Sequence, residues 1–369
     1  MLADAGLYVH FPWCVKKCPY CDFNSHPIKA DTQQEDYAHA LLDDWHGQTN
    51  RPVEPFASVF FGGGTPSLFQ PGYIADLLRA IKLKSAAEVT IEANPGTHEY
   101  VNFTQYLDAG INRLSLGAQS FNDSHLSALG RIHTAAETDA AFTKAREAGF
   151  ANINVDIMWG LPGQSVDEAT ADLTHAIELQ PEHISWYQLT IEPKTEFAKR
   201  PPLLPVEASL LEIEGTGFEL LARHGFERYE VSAYAKGGYQ CSHNKNYWEF
   251  GDYTGLGAGA HGKLTLGNGH IERTTKASQP RLYLNDPTKT SHSMVDDSAK
   301  ALEFMMNGLR LIDGVSWSVF EARTGIAKTD INATWHDLIA LGLVEPARCQ
   351  TTDLGLRYLD TILARFMAD

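Results

Sequence analysis

Six short apolar runs between Gly6 and about Leu189 narrow the fold more than any other feature of the chain. They are LYVHF, SVFFGGG, EVTIEAN, RLSLGAQ, NINVDIMWG and HISWYQL. Each is mostly β-branched or aromatic and is followed by a polar or amphipathic segment, the pattern of a strand leading into a helix. In one such segment, SVDEATADLTHAIELQP, residues Val166, Ala169, Leu173 and Ile177 fall along one helical face, with Ser165 placed to cap the start and Pro181 beyond the end. Six β-then-α units in series predict an α/β fold with a parallel barrel or partial barrel, whose chemistry gathers where the βα loops converge. Polar residues recur at those strand ends: Cys14, Thr65, Glu92, Gln119 and Asp156. One such residue marks only the return of polar sequence, but five in register point to a shared site.

Beyond the barrel, PVEASLLEIEGTGFELLARHG carries Leu210, Ile213, Gly217 and Leu221 on one further helical face, and FERYEVSAYA reads as a strand. The texture then changes to GGYQCSHNKNYWEFGDYTGLGAGAHG, rich in Gly, Tyr and His. From Ala299 the pattern is helical, with a hairpin signal near LVEPARCQTTDLG, which predicts a winged-helix-like tail. The expected division is therefore 1–235 for the barrel, 236–295 for a connecting region and 296–369 for the tail.

A chain of 369 residues fits one large and one smaller domain. Its net charge of -16 would repel a phosphate backbone, and the tail from Asp296 holds eleven acidic against seven basic residues, so no nucleic-acid partner is expected. Five cysteines, three of them clustered, make no disulfide framework in a chain of this size. No charged-then-apolar leader precedes GLYVHFPWC, and no apolar run approaches the roughly 18 residues of a membrane span. The expectation is a reducing, cytoplasmic setting without a transmembrane segment, with peripheral membrane contact left open.

The cluster lies in HFPWCVKKCPYCDFNSH, where Cys14, Cys18 and Cys21 stand at C-x-x-x-C-x-x-C spacing. Thiolates so placed suit a loop wrapped around a soft metal centre, either an iron-sulfur cluster or zinc. Zinc would need a fourth ligand, for which Asp22 and His26 are candidates, but no second cysteine pair lies nearby. With three thiolates, an iron-sulfur cluster keeps one iron open, and an open coordination position is a reactive one.

That spacing resembles the radical S-adenosylmethionine superfamily, and GGGTP at Gly62 to Pro66 resembles its glycine-rich segment. In order along the chain, YVHFPWCVKKCPYCDF, FFGGGTPS, IEANPG, LSLGAQSF, LGRIHT, VDIMWGLPGQ, YEVSAYA and HNKNYW narrow the resemblance. They are similar to the coproporphyrinogen dehydrogenase-like branch and, within it, the HemW family of heme chaperones. The resemblance implies a partial (β/α)6 TIM-like barrel and a largely helical, winged-helix-like C-terminal domain. It also implies a 4Fe-4S cluster, S-adenosylmethionine and heme as bound groups. Its expected partners are heme-accepting proteins such as respiratory enzymes, and a homodimer is a further expectation.

Carried over by position, Cys14, Cys18 and Cys21 match the cluster ligands. Tyr8, Tyr20, Gly63, Gly64, Thr65, Glu92, Gln119, Arg131 and Asp156 match contacts to S-adenosylmethionine. Carboxylates suit ribose hydroxyls and an ammonium, and the planar fork of Arg131 suits a carboxylate. HNKNYW matches a heme-associated segment, with His243 the natural axial ligand and Tyr247 and Trp248 placed to flank the macrocycle.

Four functions remain in view: heme trafficking, oxygen-independent coproporphyrinogen III dehydrogenation, radical chemistry on another substrate, and a zinc scaffold. The porphyrinogen-oxidising relatives carry a further Cys where this chain has Phe23, and a longer N-terminal extension where only 13 residues precede Cys14. Both departures favour heme trafficking over dehydrogenation, and no residue is assigned a catalytic role.

Overall fold

The computed structural model describes residues 5–29, 34–48, 55–96, 103–267 and 269–367. All six apolar runs are strands: β1 (Gly6–Phe11), β4 (Phe56–Gly63), β5 (Leu83–Ala93), β6 (Arg113–Gln119), β7 (Ile153–Trp159) and β8 (His183–Gln188). A two-residue pair, β2 (Trp13–Cys14) and β3 (His26–Pro27), closes the base of the cysteine loop. Helices α1 (Gln34–Gly47), α2 (Pro71–Ala80), α3 (Phe103–Ala109), α4 (Asp123–Ala128), α5 (Ala135–Ala148) and α6 (Val166–Glu178) lie between the strands, followed by α7 (Glu196–Lys199) and α8 (Glu207–Arg223). Ser165 caps α6 in a reciprocal box with Glu168, and Ala169, Leu173 and Ile177 are buried, as the periodicity predicts. In α8, Gly217 is small because a Cβ there would run into the ring of Trp186.

Strands β1, β4, β5, β6, β7 and β8 pair in sequence order and all in parallel, the topology of a partial (β/α)6 barrel. Leu7, Val9, Val59, Phe61, Val89, Ile91, Leu114 and Val155 stand at 2% exposure or less in its principal core, which is why the runs lack strict polar alternation.

Two departures from the sequence pattern matter. FERYEVSAYA, read as one strand, is two antiparallel strands, β9 (Glu227–Glu230) and β10 (Ala233–Ala235). The turn forms because the Glu230 carboxylate accepts both the backbone N–H and the hydroxyl of Ser232, each at 3.0 Å. The second departure concerns the region read as a connection. After α9 (Ser242–Trp248), strand β11 (Tyr253–Leu256) pairs in parallel with the free side of β1, and β12 (His261–Thr265), β13 (Ile271–Thr275) and β14 (Ser291–Met294) continue the sheet in antiparallel fashion. Apart from the β2–β3 pair, the described strands form one twelve-stranded sheet.

This extension joins two cores. Leu256, Ala258 and Tyr283, the last on α10 (Pro280–Asn285), belong to the barrel core. Phe250 and Ile271 belong instead to the core of the C-terminal helices α11 (Lys300–Gly308), α12 (Trp317–Thr324), α13 (Asn332–Ala340), α14 (Asp353–Arg357) and α15 (Leu359–Ala364). Antiparallel bridges Val344 to Thr351 and Val315 to Cys349 make the small wing. No helix of the described residues is long and apolar enough to cross a membrane.

A buried ion pair locks the extension to the barrel. Asp44 of α1 lies 2.5 Å from Lys276, with side-chain exposures of 0% and 2%. Asp44 also accepts the Gly257 N–H at 3.2 Å and the Tyr283 hydroxyl at 2.9 Å. Truncating one member of such a pair leaves the other charge buried and uncompensated. Lys276→Met should therefore cost about 3–5 kcal/mol in chemical denaturation, and Asp44→Asn in the same chain should recover part of that loss. Simple additivity of the two substitutions would count against the pair as the lock.

Candidate functional site

A cavity of about 710 Å³ opens at the C-terminal ends of the parallel strands. All five strand-end residues, Cys14, Thr65, Glu92, Gln119 and Asp156, line it. Cys18, Tyr20, Cys21, Gly63, Gly64 and Arg131 join them, so the barrel gathers side chains spread over more than a hundred residues of sequence.

The cysteine loop rises from β1. Its two arms are tied at the base, where His26 N–H donates to Pro12 O at 2.7 Å and Ile28 N–H donates to Cys14 O at 2.8 Å. Cys21 N–H donates to Cys18 O at 3.2 Å, turning the tip, and both residues line the cavity. Burial pushes the thiols of Cys14 and Cys21 above their ordinary range, and the neighbouring cysteines add to this. The Arg131 guanidinium lies 3.7 Å from Cys18 Sγ and donates to Asn94 Oδ1 at 2.5 Å and Gly117 O at 2.9 Å. Its Nε has no partner. Among the described residues no three His, Cys, Asp or Glu side chains converge on one point suited to a single ion.

The glycine turn after β4 is shaped by contacts rather than by flexibility alone. Gly63 has φ +117°, and a Cβ on Gly64 would overlap the Trp13 backbone at the root of the cysteine loop. Gly63 N–H donates to Glu92 Oε2 at 3.1 Å. Burial and the nearby Asp156 push the Glu92 carboxyl up to about 8. Asp156 is also raised, by burial, although it accepts from Asn154 at 2.8 Å and Ser115 at 3.1 Å. Gln119 ends β6 with φ +67°, a conformation held because Asp172 accepts from Ser120 and from the Phe121 N–H just beyond. Tyr187 donates to Gln119 Oε1 at 2.8 Å, which turns the amide N–H₂ away from that bond.

The structure leaves two of the expected residues outside this cavity. Tyr8 lies beneath the wall: its hydroxyl donates to His10 Nδ1 at 2.9 Å, and burial followed by the Glu92 charge raises its pKa. His243 lies on the far side of the barrel. It is wholly buried near Ser58 and Gly6, at the N-terminal ends of β4 and β1, opposite the cysteines. Its Nδ1 is 2.9 Å from Ser58 Oγ and its Nε2 3.0 Å from the Tyr247 hydroxyl, so neither nitrogen is free for an iron in this conformation. Burial lowers its pKa to about 3, and the ring stacks on Phe60 at 5.2 Å. Tyr247 and Trp248 line a separate cavity of about 200 Å³ with Lys263 and Arg273. Phe23 does reach the main cavity, at its mouth and 59% exposed.

Sequence reasoning missed Asn94, Ser115 and Tyr187. Asn94 Nδ2 donates to Thr65 Oγ1 at 2.7 Å and its Oδ1 receives Arg131, so one amide joins two expected contacts. Its place two residues after Glu92, at the end of a strand, was the available signal.

A sulfur-rich rim, an arginine with an unpartnered Nε and two carboxyls raised by burial form a donor set that fits a soft metal cluster beside a cationic, carboxylate-bearing ligand. The profile of the Radical SAM superfamily matches residues 8–174, and that of the HemN C-terminal domain matches residues 295–358. Fold and site thus define a radical S-adenosylmethionine protein. The heme chaperone HemW of Haemophilus influenzae is 46% identical over 100% of this chain and 99% of that protein. HemW of Escherichia coli is 45% identical over the same shares. The solved coproporphyrinogen III oxidase (HemN) of Escherichia coli superposes with a TM-score of 0.81 over 98% of this chain and 90% of that one, at 21% identity. The chain belongs to the HemW family.

The raised Glu92 carboxyl has a pH consequence. Its folded value lies above its ordinary 4.5, so the protonated form stabilises the fold at low pH, and this contribution fades as pH rises through about 8. Denaturation midpoints of the ligand-free protein should fall across that window, and Glu92→Gln should flatten part of the fall. Parallel profiles for the two proteins would refute the assignment.

Proposed function

We propose that this protein is a heme chaperone that holds a 4Fe-4S cluster and S-adenosylmethionine in the barrel cavity and passes heme to acceptor proteins. The observation that carries the first part is the meeting of Cys14, Cys18 and Cys21 with Glu92, Gln119, Arg131 and Asp156 around one cavity. The heme part is supported by full-length similarity to relatives named heme chaperones.

In this reading the three thiolates hold the cluster. When bound, the cluster supplies an open iron for the amino and carboxylate groups of S-adenosylmethionine and a route to its reductive cleavage. Arg131, freed in part from Asn94, pairs with the ligand carboxylate through its planar fork. Glu92 and Asp156 would accept from ribose hydroxyls and from the N–H groups of the amino end, and the ligand's sulfonium charge would draw their raised pKa values down. Gln119 offers its amide N–H₂, and the glycine turn at Gly63 and Gly64, followed by Thr65, lets backbone approach the ligand closely. Tyr20 walls the site, and Tyr8 backs it through Glu92. Phe23 leaves the mouth without a fourth thiol near the loop. Likeness to coproporphyrinogen III oxidase at 21% identity speaks for shared architecture alone and carries no argument for its activity.

Anaerobic reconstitution tests the cluster. The wild type should take up about four irons and four sulfides per chain. Cys18→Ala should fail to, and zinc without sulfide in the wild type would end the proposal. Heme titration tests the place of His243. With the imidazole buried and doubly hydrogen-bonded, His243→Ala should keep the wild-type Soret band. A lost or shifted band would show that α9 opens to release it.

A further inference from the structure

The strongest unassigned feature is the return arm of the cysteine loop. Cys14 stands on β2, the outgoing arm, while Cys21 precedes Asp22, Phe23 and Asn24 on the way back to β3. The spacing between the two sulfurs therefore depends on what holds the arms relative to one another. The arms are tied to each other by the backbone bonds at the base and by Lys17, whose ammonium donates to Phe23 O at 2.9 Å, while Asn24 ties the return arm to the barrel and to the extension.

We infer that Asn24 is a positioning residue that clamps the cysteine loop between the barrel and the β11–β14 extension, and thereby sets the geometry of the three thiols. Its Nδ2 donates to Ala258 O and to Ser278 O, each at 2.9 Å, so one amide satisfies carbonyls from two turns of the extension. Its Oδ1 lies 3.2 Å from His26 Nε2, fixing the amide against β3. Its backbone carbonyl accepts from His10 Nε2 at 2.8 Å, tying the return arm to β1. A carbonyl can only accept, so that nitrogen carries the proton, and His10 Nδ1 must accept from the Tyr8 hydroxyl. The clamp thus runs without interruption from the extension, through Asn24 and His10, to the tyrosine that faces Glu92.

The surroundings are built to this residue. Gly259 has φ +80°, and a Cβ there would overlap Asn24 Nδ2. Gly257, at φ +96°, lies so close to β1 that a Cβ would meet the His10 carbonyl and the Tyr37 hydroxyl. The Tyr37 hydroxyl in turn donates to His10 O at 2.7 Å and accepts the Ala258 N–H at 2.9 Å. Gly257 and Gly259 of GLGAGAHG therefore serve close packing against the root and return arm of the cysteine loop. Through these contacts Ala258, Gly259 and Ser278 act on the thiol geometry, although none of the three lines the cavity.

The inference rests on the cluster reading, and the experiment separates the two. Full-length wild type, Asn24→Ala, Asn24→Asp and Gly259→Ala would be reconstituted anaerobically. Iron and sulfide content, the electron paramagnetic resonance of the reduced cluster, and the rate of iron loss to a chelator would then be measured. Asn24→Ala removes two donations to carbonyls and should speed cluster loss by roughly thirtyfold, the equivalent of two net hydrogen bonds. Asn24→Asp keeps Oδ1 but sets a carboxylate against two carbonyls, and should do the same. Gly259→Ala acts from outside the loop and should shift the resonance in the same direction as Asn24→Ala. Thermal melting of the apoproteins identifies any variant that has lost its fold. Failure of the wild type to hold a cluster would end the underlying reading. A wild type with a cluster, beside folded Asn24 variants with unchanged resonance and unchanged chelation rate, would overturn the clamp alone.

Discussion

The rest of the structure depends on β1 being paired on both sides. With β4 on one flank and β11 on the other, both parallel, every residue from Gly6 to Val9 is held from two directions. A loop that leaves such a strand starts from a fixed point, which a loop leaving an edge strand would lack. The cysteine loop is that loop. The second flank comes from residues 253–256, far along the chain, so the part that looks like a connection in sequence is structurally part of the site's foundation.

Electrostatics gives the cavity its character. Glu92 and Asp156 share one wall, and in the described residues neither forms an ion pair with a cation, so burial lifts both away from the ordinary carboxylate range. Behind Asp156 the polar chain continues inward: Asn154 contacts His183 at 2.6 Å, and His183 contacts the Tyr229 hydroxyl at 2.9 Å. That hydroxyl accepts the Cys241 N–H, just ahead of α9, at 3.3 Å, while Glu88 accepts the N–H groups of Ser242 and His243. The barrel interior is thus threaded by hydrogen-bonded groups from the cavity to the helix bearing HNKNYW, with the Nε of Arg113 left without a partner among them. Such a network rigidifies when complete and is costly when broken, which accounts for how firmly His243 is held.

Much of this was legible in the chain. The six barrel strands announce themselves because strands buried on both faces must be continuously apolar, and α6 does so because its cap and its apolar face agree. The five strand-end residues were readable as a set for the same reason: the register of a parallel barrel brings like positions together. What could not be read was short or indirect. Strand β11 is only four residues, YTGL, with no pattern that distinguishes it from a loop. The break in FERYEVSAYA depends on Glu230 reaching Ser232. His243 carried the chemistry of a ligand, but imidazole serves equally well as a buried hydrogen-bond hub, and its place between Ser58 and Tyr247 was not readable from HNKNYW.

The sequence by itself determined the barrel, the thiol spacing and the polar residues that end the strands, because these follow from local periodicity and from residue chemistry. The tertiary structure alone decided which of those residues face one another and which are turned away. It placed Asn24 between two distant turns and set Gly259 against it, a contact that spans more than two hundred residues. Close approach of backbones is a property of the folded chain, and no local pattern encodes it.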